Sequence, residues 1–119
     1  MKVIRPFGPT IAKVSIPEDL IHQLNNYLDQ IILSEERIKS QDHGEKLAGN
    51  VSQEFKLEKG FISKSGLEKF IYANAKEWIK QAVNKEINKC EIINSWIVRQ
   101  FENEYNPLHS HSGHISGVG

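Results

Sequence analysis

Three of the five histidines in this 119-residue chain lie together at 109, 111 and 114, within the stretch NEYNPLHSHSGHISGVG at residues 103–119. The pair His109-x-His111 is the part best equipped for chemistry. In an extended backbone, side chains two residues apart point to the same face. Two neutral imidazoles on one face can hold a divalent metal ion. The same face can equally be a polar surface with no metal. His114 has the opposite parity and reads as a neighbour or a solvent-facing residue. Pro107 cannot donate a ladder hydrogen bond, so it marks the start of a strand. Ile115-Ser116-Gly117-Val118-Gly119 reads as the opening of a further strand.

Other reactive residues carry weaker signals. His22 sits alone on a helical pattern and reads as structural or surface. Asp42 and His43 are adjacent in a polar, glycine-containing stretch and read as a solvated turn, although the pair has metal-ligand chemistry. Cys90 has no histidine near it in sequence and reads as a small buried or idle residue. One cysteine excludes an intrachain disulfide and hence a disulfide scaffold.

The elements that position these residues follow from period and punctuation. Residues 2–7 and 10–16 are short apolar stretches around Phe7-Gly8-Pro9, a turn signal, and predict two strands. Pro17 suits a first helical position, with Glu18 and Asp19 favouring the positive end of the helix dipole. Leu20, Ile21, Leu24, Leu28, Ile31 and Ile32 then recur at three- and four-residue steps, predicting one amphipathic helix to about Arg37. Residues 40–50 predict a loop, and 51–57 a strand with Phe55 and Leu57 set against Glu54 and Lys56. Ser65 with Glu68 forms a capping-box pattern. It opens a helix with Leu67, Phe70, Ile71, Trp78, Ala82 and Val83 on one side. Lys69, Lys76, Lys80 and Lys85 fall on a solvated face beside Glu77 and Glu86. Residues 91–101, with Ile92, Ile93, Trp96, Ile97, Val98 and Phe101, predict a strand. Leu24, Phe70, Trp78 and Trp96 are expected in the core.

Composition bounds the rest. The length fits a single domain over residues 1–119. Hydrophobic residues make up 39% of the chain, enough for a core. The 15 basic and 15 acidic side chains cancel, which argues against a nucleic-acid backbone or an anionic membrane as partner. No long apolar run predicts a membrane span or a signal peptide, so a cytoplasmic protein is expected.

The order of elements and a few local motifs resemble one family. Leu47-Ala48-Gly49-Asn50-Val51 followed by Glu54, then Ser95-Trp96, then His109-x-His111 with Ser116-Gly117-Val118 resemble the iron(II)- and 2-oxoglutarate-dependent oxygenases, in the type common in marine phages and bacteria. The resemblance implies an α+β fold: N-terminal helices and strands of a double-stranded β-helix, or jelly roll, with the barrel incomplete. It implies Fe(II) and 2-oxoglutarate as cofactors, a hydroxylated substrate of unknown identity, and His109 as the first metal ligand. His111 stands where the family usually places an acidic ligand, so it is either a second ligand or a neighbour of the site. The family's distal histidine and the basic residue that pairs with oxoglutarate have no counterpart before Gly119. The chain is therefore expected to be an N-terminal part, inactive alone. It is also expected to self-associate through an open sheet edge. Two other readings remain. A cupin-like metal protein would need a glutamate where Ile115 or Ser116 stands, and a non-catalytic domain would simply associate.

Overall fold

The computed structural model describes residues 1–41 and 53–119. Eight elements follow in the order β1 (Lys2–Ile4), β2 (Ile11–Lys13), α1 (Glu18–Ile32), α2 (Glu35–Gln41), β3 (Gln53–Lys56), α3 (Lys59–Lys64), α4 (Leu67–Val83) and β4 (Trp96–Arg99). The class is α+β, as expected. Among the described residues the strands form two small antiparallel sheets, β1–β2 and β3–β4. Among the described residues no helix is long and apolar enough to cross a membrane.

β1 and β2 pair with Val3 opposite Ala12 and Ile4 opposite Ile11. Both are shorter than the sequence predicts: Pro6 and Pro9 bring no N–H to the ladder at the turn, and β2 stops at Lys13, opposite Lys2 at the start of β1. Gly8 makes the intervening turn at φ 111°, a left-handed conformation natural to glycine. Arg5 ties this hairpin to α4. Its Nε donates to Thr10 Oγ1 at 3.1 Å and its Nη2 to the Ala82 carbonyl at 3.2 Å, meeting one of the carbonyls a helix C-terminus leaves open.

The predicted long helix is two helices. α1 starts after Pro17, which stands just outside it at ψ 140° rather than inside. It ends before Ser34, whose hydroxyl accepts from the Arg37 N–H at 3.3 Å. That bond caps α2, so the serine supplies a helix start where period alone continues one helix. α3 and α4 meet at Ser65 and Gly66. Gly66, at φ 85° and ψ 1°, takes the left-handed conformation that ends one helix and begins the next. The expected capping box does not form. The Ser65 hydroxyl donates to Ile62 O and accepts from Leu67 N–H, both at 3.3 Å, while Glu68 accepts from Tyr72 at 2.9 Å. Ser65 belongs to the end of α3, and Glu68 to an i,i+4 pair on α4.

The core is small. Leu20 and Ile31 of α1, Phe55 and Leu57 from β3 and its end, and Ile62 of α3 are buried, with Phe55 and Ile31 at 0% exposure. Phe55 and Leu57 share a face as the alternation predicts. Glu54, expected on the solvent side, is 4% exposed, so both faces of β3 are covered. Leu24, Phe70, Trp78 and Trp96 are half-buried rather than core. None of the residues of α4 is fully buried. Its lysines at 69, 76 and 80, and Lys85 beyond it, are exposed as expected. Tyr27 lies against this centre, its ring stacked on Phe61 at 4.1 Å and its hydroxyl accepting from the Glu58 N–H at 3.2 Å.

β4 pairs with β3, placing Trp96 opposite Lys56 and Arg99 opposite Gln53. The cross-strand side chains also join, Arg99 Nη1 donating to Gln53 Oε1 at 3.1 Å. Residues 91–95, predicted as strand, are not in one. Nor are Gln100 and Phe101: the middle of that β-rich run, Trp96–Arg99, is what pairs with β3, with the Ser95 carbonyl accepting from Leu57 N–H at 3.0 Å, while Ile93 is 73% exposed.

Candidate functional site

β4 delivers the chain to the histidine pair. After Arg99 the backbone reverses. The Glu104 carboxylate accepts from Phe101 N–H at 2.9 Å, Glu104 N–H donates back to Phe101 O at 3.1 Å, and Asn103 sits at φ 66°. Asparagine tolerates that conformation through its short polar side chain. The turn sends the following segment back past Trp96. The stretch from Pro107 onward is not a strand, nor are residues 115–119, contrary to the sequence expectation. The pattern of β-formers is present, but Pro107 lacks an N–H, and Gly113 at φ 106° breaks the extended run.

The two histidines nevertheless face each other. His109 Nε2 and His111 Nε2 are 2.9 Å apart, with ring centroids at 4.6 Å and planes at 78°. His109 Nδ1 lies 2.6 Å from the Pro107 carbonyl oxygen. A carbonyl only accepts, so Nδ1 carries the proton and Nε2 carries the lone pair. Without a metal, His111 Nε2–H donates to that lone pair. The His111 ring in turn packs against Trp96, centroids 5.4 Å apart and planes at 38°. Three local devices thus set the pair: a proline carbonyl fixes one tautomer, an indole supports the other ring, and a two-residue spacing brings the nitrogens together. Same-face placement arises here without a β-ladder.

The arrangement has the dimensions of a chelate. Metal–nitrogen bonds of about 2.0–2.1 Å, at angles between 90° and tetrahedral, separate two nitrogens by about 2.9–3.4 Å. The carbonyl behind His109 is the kind of outer partner that orients a metal-bound imidazole. Both rings are exposed and reachable from solvent. The residues therefore fit two positions of a metal ion. Among the described residues no group of three or more His, Cys, Asp or Glu gathers around a common point. His114 and His22 are exposed elsewhere on the surface, Cys90 is half-buried, and Asp42 and His43 lie outside the described residues, as do Leu47–Val51 of the family resemblance.

One further polar cluster escaped the sequence reading. The Tyr72 hydroxyl donates to Glu68 Oε1 at 2.9 Å, which holds the phenol protonated and raises its pKa above the ordinary 10.0. Burial adds to the rise, and a hydrogen bond with the Ile92 backbone opposes it. The i,i+4 spacing of Glu68 and Tyr72 was the available signal. The capping-box pattern of Ser65 and Glu68 competes with that signal. This cluster faces a shallow surface depression with Lys69, Ala73 and Lys76 and contains no nucleophile activated by a base.

No protein-family model, curated protein or solved structure matches this chain.

Proposed function

We propose that the chain forms part of an iron(II)- and 2-oxoglutarate-dependent oxygenase, with His109 and His111 as ligands of the metal. The observation that carries this reading is the 2.9 Å approach of the two Nε2 atoms, with the His109 tautomer set by Pro107. Bound iron would supply the activation of oxygen and the chelation of oxoglutarate. The work of this chain is to present two nitrogen lone pairs at a fixed separation. His109 is ready for that role. His111 must move its proton from Nε2 to Nδ1 or to solvent, a tautomer change with no backbone rearrangement. Trp96 excludes water from one side of the His111 ring. Two neutral imidazoles leave the metal dipositive, where a carboxylate in place of His111 would lower its charge by one. That charge favours a dianionic chelating co-substrate such as oxoglutarate. On this reading β3 and β4 are strands of a jelly roll, and the protein works in the cytoplasm.

Linkage gives the test. Oxoglutarate filling open metal positions would tighten iron binding, and iron would tighten oxoglutarate binding by the same factor. Anaerobic calorimetry with Fe(II), with and without 2-oxoglutarate, is expected to show weak binding strengthened at least several-fold by the co-substrate. His109→Ala is expected to abolish both effects. Equal iron affinity with and without oxoglutarate would contradict the oxygenase reading. Iron binding unchanged in the double variant His109→Ala/His111→Ala would contradict the site.

A further inference from the structure

We infer that the histidine pairs of two copies of this chain share one divalent ion, joining the copies across a two-fold axis. The inference rests on the bis-imidazole reading of His109 and His111 and concerns an ion held without oxoglutarate, when a second copy fills the positions opposite them. A structural divalent site of the zinc type takes four ligands in a tetrahedron. One chain offers two, now 2.9 Å apart in a hydrogen bond, which must open to the about 3.3–3.4 Å of a tetrahedral edge when the ion replaces the shared proton. A two-fold axis places the same patch of each copy against the other, so a two-ligand edge becomes a complete set of four nitrogens.

The surroundings suit a second copy. His109 and His111 lie on a segment exposed throughout from Leu108 to the last residue. Leu108, directly before the first ligand, is fully exposed, and Phe101, Tyr105 and Ile93 on the approach are 46%, 59% and 73% exposed. The accessible surface of the chain is 9257 Å², against about 6,600 Å² for a compact protein of this mass. The excess is larger than the ~800 Å² that each partner of a standard interface covers. Equal numbers of basic and acidic side chains give a net charge of +0, so two copies meet without overall repulsion. The ion is held by four neutral nitrogens: each His109 already carries its proton on Nδ1, and each His111 relocates its proton from Nε2.

Light scattering on the purified chain, with and without Zn(II), decides the matter. Co(II) replaces zinc as a spectroscopic probe of coordination number. The expected result is a metal-dependent doubling of the 13.6 kDa mass, complete at one ion per two chains, with the intense visible absorption of tetrahedral cobalt. Chelator reverses it. His109→Ala and His111→Ala each lose the dimer, while His114→Ala keeps it. Far-ultraviolet circular dichroism confirms that the variants remain folded. A monomer binding one ion per chain would overturn the shared site yet leave the histidine pair as the ligands. A dimer indifferent to chelator, or one that survives both alanine variants, would overturn the inference. Absence of any Zn(II) or Co(II) binding would overturn both it and the site on which it rests.

Discussion

His109 cannot offer both ring nitrogens to a ligand, because the Pro107 carbonyl already engages Nδ1. The imidazole is thus committed to one direction before any metal arrives, which lowers the ordering cost of binding. The residue scale yields a second, independent consequence at Tyr72. Its pKa is raised, first by the hydrogen bond to Glu68 and then by burial. A group whose folded pKa lies above its unfolded value contributes stability that is present below the unfolded pKa. The contribution disappears as pH rises through the folded value. Tyr72 therefore favours folding up to about pH 10 and ceases to do so in more alkaline solution. Glu68→Gln removes the charged acceptor, so tyrosinate should form at lower pH in that variant. An ultraviolet absorbance titration reads the shift directly, and an unchanged midpoint would show that the Glu68 bond is not its cause.

At the scale of elements, the molecule depends on how few side chains are fully removed from water. Among the described residues, Phe55 on β3 and Ile31 on α1 are the two largest such residues. Phe55→Ala is expected to destabilise the chain by about 3–5 kcal/mol, from lost transfer energy and the cavity left behind. Phe70→Ala, at a half-buried position on α4, should cost clearly less. Urea denaturation of the two variants checks the order, and an equal or larger loss for Phe70→Ala would mean that α4 carries more of the core than its exposure suggests. These elements were largely legible in the sequence. The three- and four-residue spacing from Leu20 to Ile32 marks α1, and the alternation of Phe55 and Leu57 marks β3. What misled was punctuation with two meanings. Ser34 and Ser65 each look like helix residues or caps, and which helix a serine serves depends on the neighbour it meets. The β-rich runs at 91–95 and 115–119 have strand composition without strand structure, because a strand needs a partner that composition does not specify. The histidine pair was readable as a pair. Its reliance on the Pro107 carbonyl and on Trp96 was not, because the first contact depends on the local backbone at residues 107–109 and the second on the turn at residues 101–104.

At the scale of the whole molecule, the chain is open for its size. Its radius of gyration is 15.7 Å, against about 13.5 Å for a compact chain of this length. The extents of 47 × 32 × 23 Å describe an elongated body. Much apolar surface lies at its periphery, including Phe7, Leu33, Leu108 and Val118. An open molecule with exposed histidines offers several surface imidazoles to a metal ion, so the central claim is one of selectivity among the five. Among the described histidines, His109 and His111 differ from His22 and His114 in being two neighbours in sequence whose nitrogens are held within chelating distance. Proton NMR of the histidine ring resonances during titration with Co(II) tests that difference across the whole chain at once. The account predicts that the signals of His109 and His111 broaden or shift together at the lowest metal concentrations, while those of His22 and His114 remain. Uniform broadening of all five, or first loss at His114 with His109 and His111 unaffected, would contradict it.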